Sequence, residues 1–446
     1  EVDMKRSMMD EHVGALFPFV GSTILQQGGI PLGENAQNRT PIIYDRFSSG
    51  DGYNWMTIGN IGMGKSFSSK THFGRRRMKD EDTIIIMLDP LEGFAGLCQA
   101  LSGQHVLVGG NLGLNPLEIE PVPEDVLEEN PQLDPGGAKL KDLKSFFDSL
   151  WKMRGRSDGL GELWNTLEDA IRDAYARRGI DLSDPTTFDN DNPTVREDLI
   201  PELLDRVVDI ENNSALHEML SNHDEYDLTE ILDNEGIQTA LEEERNRAVE
   251  LLLGMTPFSE GGAMDHLGGT SDFDIGEEEI VWLDLQLQEG RDSLGLMMKL
   301  LFSSVYERAK TTDKKVIFAI DEAKYIMRDQ SALDFLEQRT RHSRHHDLSI
   351  QFITQTVDEF FQHEAAKAIA NNCAHKLIFR TEGLDDDLAE KIDMNPVQAN
   401  FARNAKPGDE ERGFSEAVLS VPDEGWTPIH ISANDTEAAI VDYEPG

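Results

Sequence analysis

The sequence predicts an α/β fold with a mainly parallel, doubly wound sheet and an inserted all-helical lobe. Three observations predict it. A Gly-rich loop joins a strand pattern to a helix pattern at residues 54–78; short β-branched and apolar runs alternate with helical patterns; and a middle stretch carries apolar residues at helical spacing only.

The first strand candidate, 54–58, enters the Gly-rich turn, and residues 65–78 follow as a helix that ends in Arg75, Arg76 and Arg77. Residues 83–88 form an unbroken apolar run of the kind buried on both faces of a parallel sheet, and it stops at Asp89 and Pro90. Further strands are expected at 105–108, 279–285, 316–320, 349–354 and 376–379, with a helix at 294–308 among them. From about 121 the pattern changes: Leu163, Leu167, Ala170, Ile171 and Ala174, then Leu199, Leu203, Val207 and Ile210, recur at helical spacing. Loop signals flank this stretch at Asn130-Pro131, Asp134-Pro135-Gly136-Gly137, Gly261-Gly262 and Gly268-Gly269. The expected organisation is a first core part at 1–120, a helical insertion at 121–270 and the rest of the core at 271–446.

The chain has 446 residues, more than one hydrophobic core usually holds, so one large domain with an inserted lobe, or two domains, is expected; 39% of the residues are hydrophobic, enough for a globular interior. No apolar run approaches the roughly 18 residues of a membrane span, and the first residues lack the apolar core of a secretory signal, so a soluble chain is expected. Glu1 stands where an initiator Met would be, which predicts a fragment with further sequence upstream. Acidic residues number 84 against 41 basic ones, a formal charge of -43. Acid spread along every segment predicts a halophile protein kept soluble in molar salt, where the Debye length falls to roughly 3 Å and net charge no longer decides partners. DNA therefore stays open as a partner. Cys98 and Cys373 are far apart and have no CxxC or His at ligand spacing, so neither a disulfide framework nor a zinc site is expected and a reducing cytoplasm fits.

Gly59, Asn60, Ile61, Gly62, Met63, Gly64, Lys65 and Ser66 satisfy G-x-x-x-x-G-K-[ST]. In that pattern the glycines let backbone N–H groups curl toward phosphates, the lysine neutralises charge there and the hydroxyl ligates Mg²⁺. Lys65, Ser66 and the adjacent Phe67 complete the expected nucleotide-binding set, with ATP and Mg²⁺ as cofactors. The apolar run 316–320 ends in Asp321 and Glu322, where a Walker B motif places its acids. Asp321 is then the metal carboxylate, through water, and Glu322 the group that polarises the attacking water. Gln355, after the run 349–354, is the candidate γ-phosphate sensor or water-placing residue, against the plainer reading of a polar strand end. Asp89, Pro90 and Glu92 end the second strand beside the expected phosphate loop, where a carboxylate either orders that loop or its water or forms a simple turn.

Residues 339–346, Arg-Thr-Arg-His-Ser-Arg-His-His, concentrate cations in a chain short of them. Arg341 and Arg344 are the candidates for an arginine that acts in trans on a neighbouring subunit's nucleotide, an effect of about 10³ to 10⁵ in rate where it is established. A solvated helix face and a DNA-facing loop are the competing readings. His345 and His346 lack partner ligands for a metal site.

These motifs resemble the C-terminal ATPase domain of the type IV secretion and conjugation ATPases, the TraC class, within the HerA and FtsK superfamily. The resemblance is carried by Phe17-Pro18-Phe19, Gly29-Ile30-Pro31-Leu32-Gly33 and Pro41-Ile42 before the loop, Asp89-Pro90 and Asn115-Pro116-Leu117 after it, Ile280-Val281-Trp282-Leu283-Asp284-Leu285, the Asp321-Glu322 pair, the basic segment, Thr354-Gln355 and a closing Gly425-Trp426-Thr427-Pro428. It implies a RecA-like core with a helical lobe and a hexameric ATPase that drives pilus assembly or substrate transfer at the inner face of the cell membrane, with the membrane secretion complex as partner. Alternatives left open are a HerA- or FtsK-like DNA translocase or coupling protein, and a nucleotide-switched assembly scaffold with little hydrolysis. A GTPase or small-molecule kinase is disfavoured, because no N-K-x-D element occurs and the adjacent Asp-Glu pair favours water as acceptor.

Overall fold

The computed structural model describes residues 24–441 apart from 92, 109–112, 123–126, 128–131, 133, 215–216, 218, 220–230, 233, 272–277, 286–293, 311, 324–329, 362, 382, 409–412 and 423. Phe17-Pro18-Phe19, Glu92 and Asn130-Pro131 lie outside the described residues.

One sheet of 11 strands organises the described chain. In chain order these are β1 (Ile30–Asn35), β2 (Pro41–Tyr44), β3 (Trp55–Ile58), β4 (Ile84–Asp89), β5 (Gln104–Leu107), β6 (Ile280–Asp284), β7 (Val316–Ile320), β8 (Leu348–Thr354), β9 (His375–Ile378), β10 (Ser415–Val421) and β11 (Gly425–Ile431). Their order across the sheet is β2-β1-β11-β10-β9-β3-β8-β7-β4-β6-β5. From β9 to β5 every pairing is parallel; from β9 to β2 every pairing is antiparallel.

The parallel half follows directly from its sequence. Every residue of β4 is buried, and its side chains alternate between two apolar clusters: Ile84, Ile86 and Leu88 on one face, Ile85 and Met87 on the other. The expected runs agree with β3 to β9 to within one or two residues at each end. The antiparallel half carries no clear strand pattern in the sequence. Pro31, Gly33, Pro41 and Pro428 interrupt its apolar alternation, and β1 changes register between Pro31 and Gly33. Gly33 is required there, because a Cβ would stand 2.3 Å from the His430 carbonyl oxygen.

Helices cover both faces. On one side lie α1 (Lys65–Lys79) and α2 (Ala95–Ala100), whose Phe73 and Leu97 join Ile85, Met87 and Ile317. Between β5 and β6 the described elements are helical: α3 (Pro135–Met153), α4 (Leu163–Arg177), α5 (Ile200–Val208), α6 (Glu235–Gly254) and short turns. Helix α3 starts at Asp134, whose side chain accepts from the Gly137 N–H, with Pro135 next, a favourable start on both counts. Leu163, Leu167, Ala170, Ile171, Ala174, Leu199, Leu203 and Ile210 are all buried. Phe147, Leu167 and Leu203 belong to the same apolar cluster as Ile86 and Leu88, so this region shares the core of the sheet.

The remaining helices are α7 (Leu294–Lys310), α8 (Gln330–His342), α9 (Glu364–Asn371), α10 (Asp386–Lys391), α11 (Pro396–Asn404) and α12 (Asp435–Val441). Helices α7 and α8 both bond to α3. Arg339 of α8 donates to both oxygens of Asp142 on α3, at 2.7 and 2.5 Å, and Ser303 of α7 donates to the same carboxylate at 2.9 Å. Among the described residues no helix is long and apolar enough to cross a membrane.

Candidate nucleotide site

The phosphate-cradle motif occupies the loop between β3 and α1. Its start is fixed to both neighbouring strands: the Gly59 N–H donates to the Thr354 carbonyl at 3.2 Å, and the Asn60 N–H to the Arg380 carbonyl at 2.8 Å. Gly62 and Gly64 take φ of 75° and 101°, left-handed values that turn the chain sharply into α1. Gly64 is the N-cap and has no side chain to cap the first turn, the end of a helix that favours an anion. Two glycines are also required by crowding: a Cβ would stand 2.6 Å from Phe379 Cβ at position 59 and 2.6 Å from Ser415 Oγ at position 64. Met63 is buried and anchors the loop, whereas Ile61 at its tip is exposed. Buried Lys65 reaches back across the loop, its Nζ donating to the Asn60 carbonyl at 3.2 Å. Ser66 and Phe67 are half-buried in the first turn of α1.

The carboxylates come from strand ends. Asp89 pairs in register with Asp284, and Leu88 with Ile320, so Asp284, Asp89 and Asp321 stand in a row at the C-terminal edge of β6, β4 and β7. Gly93 closes over two of them; a Cβ there would be 3.2 Å from Asp89 Oδ2 and 3.7 Å from Asp321 Oδ2. Burial, then the neighbouring Asp89 charge, pushes the Asp321 carboxyl up to about 7, while Lys65 pulls the other way. Burial also raises Asp89, although it accepts from the Leu91 N–H at 2.8 Å and the Phe94 N–H at 3.0 Å. Both bonds lie within residues 89–94, so Asp89 holds its own turn, the plainer of the two readings.

Glu322 follows with φ of 49°, a left-handed backbone uncommon outside glycine. The Asp321 side chain stabilises that turn by accepting from the Glu322 N–H at 2.8 Å. Gln355 Nε2 donates to both Glu322 oxygens, and the Gln355 carbonyl accepts from Thr381 Oγ1 at 2.8 Å. The structure therefore brings together Gly59–Phe67, Asp321, Glu322 and Gln355. Sequence reading missed Asp284, Thr381 and His105, whose Nε2 lies 3.1 Å from Asp284 Oδ2. An Asp closing an apolar strand at 284, as at 89 and 321, was the available signal.

The basic segment lies elsewhere. It precedes β8, whereas the phosphate loop follows β3, and these strands are parallel neighbours. Arg341 and Arg344 therefore sit at the opposite edge of the sheet from their own chain's loop, roughly a seven-residue strand or 20 Å away. Both are exposed; Arg341 pairs with Glu337, and Arg344 bonds the Gly50 carbonyl and lies 6.0 Å from the Tyr53 ring centre. Arg339 is committed to Asp142.

Ser66 and Asp321 suit magnesium, which commonly takes one or two protein oxygens and completes its shell with phosphate and water. No group of three or more His, Cys, Asp or Glu able to hold a metal occurs among the described residues, as such a shared site requires none. A cavity of about 870 Å³ in the helical region, lined by Asp173, Glu202 and Arg206, borders undescribed residues and lies away from this chemistry.

The chain matches no protein-family model and no curated protein. Its structure is similar to VirB4 of Thermoanaerobacter pseudethanolicus, with a TM-score of 0.67 and 21% identity over 93% of this chain and 100% of that one. It is also similar to the plasmid coupling protein TrwB in complex with a non-hydrolysable ATP analogue, with a TM-score of 0.51 and 11% identity over 92% of this chain and 90% of that one. At these identities the likeness establishes the fold: an α/β, RecA-like P-loop core built on a large, mostly parallel sheet.

Proposed function

We propose that the chain is a Mg²⁺-dependent ATPase motor that energises a conjugation- or type IV secretion-like machine. The observation that carries this is the convergence, at one sheet edge, of a phosphate loop with its lysine, a strand-end Asp for the metal, and a Glu held by Gln355 where it can polarise water. The likeness to VirB4 over 93% of this chain supports the machine, and the likeness to TrwB supports DNA transfer by a coupling protein as the second reading.

The separation of Arg341 and Arg344 from their own loop supports assembly into a ring, a hexamer in this reading. One subunit's arginine would complete its neighbour's site. Residues 121–270 form the helical lobe of the motor, inserted between core parts 1–120 and 271–446. Its place is at the inner face of the membrane, docked on the secretion complex.

The test is ATP turnover with Mg²⁺ in molar KCl, with and without DNA, for wild type, Lys65→Ala and Glu322→Gln, with particle mass measured in each nucleotide state. Turnover lost in both variants, with ATP still bound by Glu322→Gln, is expected. A wild type that binds ATP and assembles but never turns over would instead make the chain a nucleotide-switched scaffold.

A further inference from the structure

An arginine that the sequence motifs do not include is bonded through its backbone to the phosphate loop. Strand β9 runs parallel to β3, with Ile378 opposite Ile58, and the two chains stay bonded beyond the strands: the Phe379 N–H donates to the Ile58 carbonyl at 2.8 Å and the Asn60 N–H to the Arg380 carbonyl at 2.8 Å. Asn60 is also the residue whose carbonyl accepts from Lys65 Nζ, the group that serves the β- and γ-phosphates in such loops. Arg380 is thus fixed, through one peptide, to the end of the loop where the lysine ends.

Its other side is fixed as well. Thr381 Oγ1 donates to the Gln355 carbonyl at 2.8 Å, and Gln355 holds Glu322. The backbone of 380 therefore bridges the phosphate loop and the water-placing pair. The Arg380 side chain is exposed, and no carboxylate among the described residues lies within ion-pair distance of it. By contrast Arg75 and Arg76 of α1 and Arg403 of α11 each hold an acid. In a chain with 84 acids and 41 bases, an exposed guanidinium with no carboxylate partner among the described residues, on a residue whose backbone bonds the anion cradle, is open to an anion supplied from outside.

We propose that Arg380 contacts the γ-phosphate of the nucleotide bound by its own chain, as a cis partner of Lys65. The planar guanidinium fork suits two phosphate oxygens at once. Through Thr381 and Gln355, its engagement places the γ-phosphate relative to Glu322 and separates the triphosphate from the diphosphate state. This rests on the ATPase reading above.

The test is calorimetric binding of ADP and of a non-hydrolysable ATP analogue, each with Mg²⁺ in molar KCl, to wild type, Arg380→Ala and Arg380→Lys, with thermal melts as a folding control. Arg380→Ala should lose about tenfold to a hundredfold in analogue affinity, the range for a charged hydrogen bond, and leave ADP affinity unchanged. Arg380→Lys should recover part of the loss, because it restores charge but not the fork. Equal losses for both nucleotides, or none, overturn the assignment. Unchanged affinities with an altered particle mass make Arg380 a subunit contact and also overturn it. A wild type that binds both nucleotides while Arg380→Ala matches it overturns this inference alone; a wild type that binds neither overturns the ATPase reading and this one with it.

Discussion

Gln355 Nε2 lies 2.9 Å from Glu322 Oε1 and 3.1 Å from Glu322 Oε2, so a single amide spans both oxygens of the proposed water-activating carboxylate. The two residues end adjacent parallel strands, β8 and β7, which is why side chains 33 positions apart meet. The amide holds the carboxylate's orientation while leaving its charge in place.

Glu322→Gln should lower kcat by about 10² to 10⁴, the usual worth of a positioned general base, while ATP still binds. Gln355→Ala should lower kcat less, because Glu322 keeps its charge and loses only its orientation. Steady-state turnover alongside nucleotide binding checks both; an equal loss of binding in either variant would remove the assigned roles.

Gly64→Ala should abolish tight nucleotide binding and lower the Tm. It faces two obstacles, a φ of 101° and a Cβ 2.6 Å from Ser415 Oγ. Adding Ser415→Gly removes the second but not the first, so the double variant should recover only part of both properties. Full recovery in the melt and in nucleotide titration would show that crowding alone makes glycine necessary.

Asp321 gives a pH signature in the nucleotide-free protein. Its carboxyl sits at about 7 against an ordinary 3.8, so between those values the folded chain holds a proton that the unfolded chain has released. This contribution to stability is fully present below about pH 4 and is lost as pH rises through about 7. Asp321→Asn removes the dependence. The variant's Tm should exceed that of wild type increasingly from pH 4 to pH 8, and a difference that stays flat over this range contradicts the burial argument.

Arg344→Ala should turn over ATP slowly by itself and faster when mixed with Lys65→Ala. In a mixed ring some interfaces join an intact loop to an intact arginine, so activity above the sum of the separate variants places the arginine in trans. Additive activity at every mixing ratio removes Arg344 from that role, and the same mixture with Arg341→Ala then decides the remaining candidate.

Asp142→Ala should destabilise the protein by about 1–3 kcal/mol, since it leaves the mostly buried Arg339 guanidinium without its carboxylate. Exchanging the two residues should restore only part of the Tm. Arg339 also lies over the Tyr306 and Phe335 rings, at 4.4 and 4.9 Å from their centres, and an arginine at 142 cannot recover that stacking. Denaturation midpoints of the two single variants and the exchange measure the coupling.

The sequence by itself determined the parallel strands, the cradle and its lysine, and the Asp321-Glu322 pair. Each is a local pattern: strands buried on both faces read as continuous apolar runs, and the loop needs its glycines at fixed spacing. Strands β1, β2, β10 and β11 were not legible, because Pro and Gly break their alternation and their register comes from partners far away; Glu34 pairs with His430. Tertiary structure alone decided that Asp284, Asp89 and Asp321 form one row, that Gln355 spans Glu322, that Arg380 stands beside the loop, and that Arg341 and Arg344 face away from it. The physical reason is that strand order is nonlocal: a side chain's period records which face it occupies, while the strand that becomes its neighbour is settled by packing across the whole sheet.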